Sequence, residues 1–456
     1  MIKTFSFVIG LASVVTFPVL GAAQVIERIS VDSAENESTL ESSLAISKDG
    51  VSENGRFIVF ASPSDNLVAD DNNGQSDVFL RDRVVGTTVR ISTNNHGGGD
   101  ASGASQRPSI SGDGRYIVFD SDAGDLVDGD GNGFLDIFLF DTVGGVMTRI
   151  SISSIGGDTD ANSTRPSISG DGRYVAFSSS ATNLVTGGAN TNVDIYVRDR
   201  TLGTTIKLTE RTDGSLTDLN SWQAVISDDG RHVAFTSGDS GLVLNDGNAQ
   251  PDIFVCNLGT SAIERVSVTT GGAESSARNG VAAVSEDASV VAWWSRAEDL
   301  VDDDTNSQDD IFVRDRTLGT TTRISVTSAG AQAVGGGNWH VSMSHDGRFV
   351  AFASDSTNLV DDDTEGNGDV VSYDRLTGIT RRHSRVPGGA GGNDYSRSPS
   401  LTPDGAYVVF ESGASNFVAG DTNLAQDVYF AWGPAMVLED GFESADTSGW
   451  SNTVGP

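Results

Sequence analysis

Between Asp128 and Asp136 the chain reads Asp-Gly-Asp-Gly-Asn-Gly-Phe-Leu-Asp. Oxygen-bearing side chains fall at Asp128, Asp130, Asn132 and Asp136, the first, third, fifth and ninth places of a short loop. Alternate residues in a tight loop can turn inward together, and Ca2+ takes roughly six to eight oxygens at about 2.3–2.6 Å. Gly133, at the sixth place, permits the sharp turn. Close variants of the window carry Asp302, Asp304, Asn306 and Asp310, and Asp361, Asp363, Glu365 and Asp369, with Ser307 and Gly366 at the sixth place. Calcium binding is the chemistry these three loops would do. The competing reading is that Asp and Asn cap loop backbone groups with no metal present. It is strongest at the ninth place, which is Asp in every such window of the chain: Asp77, Asp136, Asp194, Asp252, Asp310, Asp369 and Asp427.

These loops belong to a repeat. An anchor recurs as Asn54-Gly55-Arg56, Asp113-Gly114-Arg115, Asp171-Gly172-Arg173, Asp229-Gly230-Arg231, Asp287-Ala288-Ser289, Asp346-Gly347-Arg348 and Asp404-Gly405-Ala406. Successive third positions lie 59, 58, 58, 58, 59 and 58 residues apart. In the third copy Ser167-Ile168-Ser169 is a short strand, and Asp171-Gly172 is a two-residue hairpin turn. Tyr174 to Phe177, Asp194 to Val197 and Thr205 to Leu208 are the next three strands. The second and third are nearly continuous apolar runs, which suit sheets covered on both faces. Four short strands per unit, stacked radially, describe a β-propeller blade.

Ring closure is also written in the chain. The fourth strand is marked by Arg90-Ile91-Ser92, Arg149-Ile150-Ser151, Lys207-Leu208-Thr209, Arg265-Val266-Ser267, Arg323-Ile324-Ser325 and Arg382-His383-Ser384. The seventh copy stops after Val428-Tyr429-Phe430, and an orphan Glu27-Arg28-Ile29-Ser30 stands near the start. The expected fold is therefore all-β: a seven-bladed propeller of four-stranded antiparallel blades over residues 24–432, closed by the N-terminal strand pairing in the last blade. An open solenoid is the alternative that the orphan strand argues against.

Ser-x-Asp-Gly-Arg-Tyr-Val-Ala-Phe, then Asp-Ile-Tyr-Val-Arg-Asp, then Thr-Arg-Ile-Ser resembles the TolB-like, WD-repeat-related propeller repeat. The resemblance covers nearly the whole chain after its first residues and implies the fold. TolB adds an N-terminal α/β domain to a six-bladed propeller, so its partner role in the cell envelope does not carry over. The second acidic window is similar to the calcium loops of integrin-type propellers, which implies Ca2+ as the ligand there.

Composition narrows the function. A net charge of −34 over 456 residues opposes nucleic-acid binding and docking on anionic lipid. One cysteine excludes a disulfide framework and cysteine-ligated metal. Lys3, the apolar stretch from Phe5 to Leu20 and small residues to Ala23 have the layout of a secretory signal peptide over residues 1–23. An uncleaved anchor is the alternative. Residues 433–456, with Asp440-Gly441-Phe442-Glu443-Ser444, form a separate tail similar to one seen on many secreted bacterial proteins. No Gly-x-Ser-x-Gly elbow occurs, and the five His are scattered over the blades, where turn or core roles are expected. The function expected is a secreted or periplasmic, monomeric propeller that binds a protein or glycan, with Ca2+ stiffening its acidic loops. The alternative is a polysaccharide lyase or hydrolase using carboxylates at the propeller channel.

Overall fold

The computed structural model describes residues 26–44, 50–187, 190–361, 363, 366–386 and 389–432. The signal-peptide and tail assignments, and Glu365, lie outside these residues. All regular structure among the described residues is strand, arranged in seven antiparallel sheets. Six sheets have four strands. The seventh contains Phe57–Ser62, Asp77–Asp82 and Thr87–Arg90, and is extended on its inner side by bridges Ser43↔Ala61 and Val51↔Ile58.

The ring closes as the orphan strand requires. Ile26–Arg28 pairs antiparallel with Asp427–Trp432, in register Ile26↔Ala431, Glu27↔Phe430 and Arg28↔Tyr429. The Ile29 N–H extends the ladder by donating to Val428 O at 2.7 Å. This is the fourth strand of the last blade, supplied from the other end of the chain.

The repeat motif has a physical role in each blade. The Asp of the hairpin turn accepts from the N–H two residues on, as Asp171 does from Arg173 at 2.9 Å, and Gly172 takes φ 69°. The Arg then reaches across to the Asp ending the third strand: Arg56 to Asp82, Arg115 to Asp141, Arg173 to Asp199 and Arg348 to Asp374. Within a blade, directly opposed second- and third-strand aromatics such as Phe177 and Tyr196 pack with ring centroids 5.9 Å apart. Both sheet faces are buried, as their apolar runs demand.

One boundary differs from the sequence expectation. The first strand of the third blade runs Ser163–Ile168, starting four residues before Ser167. Arg165 and Pro166 gave it the look of a loop. It is the innermost strand, with one edge toward the channel and no partner there, so proline is tolerated. The same strand is Ser105–Ile110, Ser221–Ile226, Asn338–Met343 and Ser396–Leu401 in other blades.

Candidate functional site

The ninth-place Asp of each acidic loop is committed to its own blade. In all seven blades it accepts the hydroxyl of the Ser or Thr in the fourth strand: Ser92 to Asp77, Ser151 to Asp136, Thr209 to Asp194, Ser267 to Asp252, Ser325 to Asp310, Ser384 to Asp369 and Ser30 to Asp427. That hydroxyl in turn accepts the N–H following the Asp, as from Ile137 to Ser151 at 2.8 Å.

A cation from the protein itself sits beside the third- and ninth-place acids. Arg149 lies 3.0 Å from Asp130, 3.6 Å from Asp136 and 2.7 Å from Asp158. Arg323 lies 3.1 Å from Asp304, and Arg382 3.2 Å from Asp369 and 4.0 Å from Asp363. Arg28, Arg90 and Arg265 do the same in other blades, and Lys207 meets the ninth-place Asp194 at 2.7 Å. Asn132 turns its NH2 toward Asp136 at 2.8 Å, because its oxygen accepts the Phe134 N–H. Asn306 repeats this with Asp310 and Gln308. The structure thus brings together Asp130, Asn132 and Asp136, and likewise Asp304, Asn306 and Asp310, while Asp128, Asp302 and Asp361 stay exposed at the loop surface. So arranged, these oxygens meet a guanidinium. Among the described residues no group of three or more His, Cys, Asp or Glu is placed to hold a metal.

Burial gives these loops a pH signature. Desolvation pushes the Asp77, Asp246, Asp304 and Asp369 carboxyls up to about 6. Unfolded, they titrate near about 3.9. Between those values the folded state binds more protons, so stability falls as pH rises through that window and is regained on acidification. Asp82 and Asp199 are held low by Arg56 and Arg173, and their contribution is lost only at still lower pH. The buried His340 and His383, pushed down to about 4, act the opposite way below about pH 6.5. The loop share is therefore read in a His340→Gln, His383→Gln background, where the unfolding midpoint is expected to be higher at pH 5.5 than at 7.5. A lower midpoint at pH 5.5 contradicts this.

The cavity lies elsewhere, on the propeller axis. On the face carrying the acidic loops, the channel opens into a space of about 600 Å3. Its wall is built from the innermost strands. In five of them one residue adopts a left-handed conformation at a β-bulge: Arg107 (φ 51°), Arg165 (56°), Gln223 (58°), His340 (53°) and Ser398 (51°). Non-glycine residues reach that region at a cost on the order of 1 kcal/mol or more. All five line the cavity.

The charges there are arranged unequally. Arg107 meets Asp120 at 3.0 and 3.1 Å, and Asp120, fully buried, also accepts the Arg165 N–H at 2.9 Å. Arg397 meets Glu411 at 3.1 Å and Gln426 at 2.7 Å, and the buried Glu411 also accepts the Leu44 N–H. Burial raises the pKa of both carboxyls. Among the described residues the Arg165 guanidinium has no hydrogen bond or ion pair. Its pKa is lowered by burial and then by the charge on Arg107. Burial, then Arg397, pushes His340 down to about 4, and its Nδ1 is buried without a partner. It is a neutral imidazole at neutral pH.

Deeper along the axis, Val51, Ile110, Met343 and Leu401 line a void of only about 20 Å3 together with Glu53, Gly112, Asp228, His345 and Pro403. Past it, backbone bonds link neighbouring blades: Glu53 N to Gly112 O, Gly112 N to Gly170 O, Gly170 N to Asp228 O, Asp229 N to Glu286 O, Glu286 N to His345 O, and His345 N to Pro403 O. Pro403 has no N–H to continue to Glu53. His345 pairs with Asp228 at this end, where a second space of about 590 Å3 is lined by Glu53, Asp171, Glu286 and Asp404, so the two nearby His face opposite ends of the channel.

The arginines and His340 of the wall were missed by reading loops alone. The usable signal was the column Arg107, Arg165, Gln223, His340 and Ser398, at the repeat interval and polar within a strand. His340, expected in a turn or the core, lines the cavity. Cys256 is buried and its thiol is pushed up to about 11, which leaves it inert.

No family model matches the sequence, and no curated protein matches it. Solved structures do. An oligogalacturonate lyase in complex with manganese is similar over 95% of this chain and 96% of that one, at 11% identity and a TM-score of 0.55. An oligogalacturonate lyase from Vibrio parahaemolyticus is similar over 90% and 97%, at 13% identity and a TM-score of 0.53. A putative TolB from Agrobacterium tumefaciens is among the similar structures, over 76% and 94%, at 18% identity and a TM-score of 0.40. At 11–13% identity the likeness to the two lyases shows a shared fold alone. No helix among the described residues is long and apolar enough to cross a membrane.

Proposed function

We propose that this chain is a secreted or periplasmic binding propeller that takes a protein or glycan ligand at the channel mouth on the acidic-loop face. One observation carries the reading. The five left-handed positions are equivalent in the repeat, yet they hold Arg, Arg, Gln, His and Ser, all facing a cavity large enough for a small ligand. A purely structural repeat has no use for such variety at its axis. Gln223→Trp, which fills the mouth from one side, is expected to abolish ligand capture on a glycan and peptide array without lowering the unfolding midpoint. Capture that survives the substitution moves the site elsewhere.

Calcium enters this proposal only as a competitor of the loop guanidinium. Equal unfolding midpoints in calcium and in EDTA are expected. A midpoint raised by calcium would restore the ion to the loops.

A lyase or hydrolase is the second reading, favoured by His340, a neutral base in the same cavity. The channel carboxylates suit it less, since Asp120 and Glu411 are each bound by an arginine. The similar solved structures include proteins named as oligogalacturonate lyases. Turnover of a polysaccharide that is lost in His340→Ala would establish it.

A further inference from the structure

We infer that the channel mouth holds a short free peptide by both ends, with its α-carboxylate on Arg165 and its α-ammonium on Glu41. The inference rests on the mouth being the binding site and adds the charge pattern of what it takes.

The first observation is a pair of unanswered charges in one cavity. Arg107 and Asp120 answer each other, and so do Arg397 and Glu411. Arg165 and Glu41 also line the cavity, and among the described residues neither side chain has a hydrogen bond or an ion pair. Arg165 is half-buried and Glu41 is exposed. The arginines Arg107, Arg165 and Arg397 are thus balanced by Asp120, Glu411 and Glu41, but the balance is not local. Asp120 serves both the Arg107 guanidinium and the Arg165 N–H, which leaves a cation in excess on the second and third blades and an anion on the first. A half-buried guanidinium is unfavourable until an anion meets it, and its parallel N–H donors match a carboxylate. A simple anion satisfies Arg165 and opposes Glu41, and an amine does the reverse. A zwitterion satisfies both. The protein's net charge of −34 repels a net anion at low salt and leaves a neutral zwitterion unopposed.

The second observation is where the two charges stand. The Glu41 carbonyl accepts the Ser62 hydroxyl of the first blade, and Arg165 belongs to the innermost strand of the third. The second blade separates them. The two charges of a single amino acid share one carbon, so a chain of several residues suits the span better. The rest of the lining is neutral, with Gln106, Gln223 and Ser398 as polar groups and Ala61, Pro166 and Ala224 as small apolar ones. A side-chain amide both donates and accepts, as the N–H and C=O of a peptide bond require.

The test uses the full chain with trialanine, N-acetyl-trialanine, which lacks the ammonium, trialanine amide, which lacks the carboxylate, and alanine. Binding is read by calorimetry. Trialanine is expected to bind at least about tenfold more tightly than either blocked form and than alanine. Arg165→Gln is expected to erase the preference over the amide and keep the preference over the acetylated form, and Glu41→Gln to do the opposite. Both variants are expected to keep the parent's unfolding midpoint. A loosened fold does not produce this crossed pattern. The inference is overturned, with the mouth kept as the site, by a blocked form or alanine binding as tightly as trialanine. No binding of trialanine, or tighter binding of a glucuronate disaccharide, overturns it in the same way. If Gln223→Trp leaves trialanine binding unchanged, the mouth reading falls and this inference with it.

Discussion

A chain lacking residues 24–33 is expected to melt far below the intact ring. Ile29 is fully buried, and Ile26 and Val31 nearly so. Burying such a side chain contributes roughly 1.5–3 kcal/mol, so the apolar loss alone is on the order of 5 kcal/mol. The electrostatic loss adds to it. Asp427 is buried with Ser30, Ser38, Asn423 and Arg28 as partners. Deletion removes Ser30 and the Arg28 cation and leaves a desolvated carboxylate. Asp427–Trp432 would then be a bare edge strand, open to pairing with another chain. Ile29→Ala isolates the packing share, with an expected loss of about 2–4 kcal/mol. Thermal unfolding measures both. An unchanged curve for the deletion is incompatible with closure by this strand.

Replacing Arg149 by Met is expected to cost about 3–5 kcal/mol, more than most surface ion pairs are worth, because the pair is buried. Arg149 keeps only 8% of its side-chain surface exposed, Asp130 4% and Asp136 none. Without the guanidinium the two carboxylates face each other with one Asn amide and two hydroxyls for company. Chemical denaturation of the variant against the parent measures the loss. A change below about 1 kcal/mol would show that the guanidinium does little for the loop. Adding calcium to the variant asks a separate question. Recovery of stability shows that the oxygens can regroup around an ion once the arginine has gone. No recovery shows that their arrangement is made for nitrogen donors alone.

The repeat interval, the blade order and the closing strand were all legible in the residues. A 58-residue period with one strand missing at one end and one spare at the other admits few folds. The acidic loops were legible as loops, and their sixth place does turn left-handed at Gly133 and Ser307. Their cation was not. Arg149 stands 13 residues beyond Asp136, and only the hairpin between third and fourth strands folds it back. The residues that mark the fourth strand, Arg or Lys followed by an apolar residue and Ser or Thr, are the ones that answer the loop's third- and ninth-place acids. Spacing shows that both columns exist, and the third dimension shows that they meet. The channel wall escaped for a different reason. A strand whose free edge faces water inside a ring has the polarity of a loop. Arg107-Pro108 and Arg165-Pro166 therefore look like connections, although they line the axis.

Because the strand that completes the last blade comes from the other end of the described chain, Arg28 and Asp427 meet across 399 positions. Closing so long a loop has an entropic cost, and it falls on one short strand. Until that strand docks, Asp427–Trp432 keeps an open edge. The joint between the two ends is therefore where a partly assembled molecule waits.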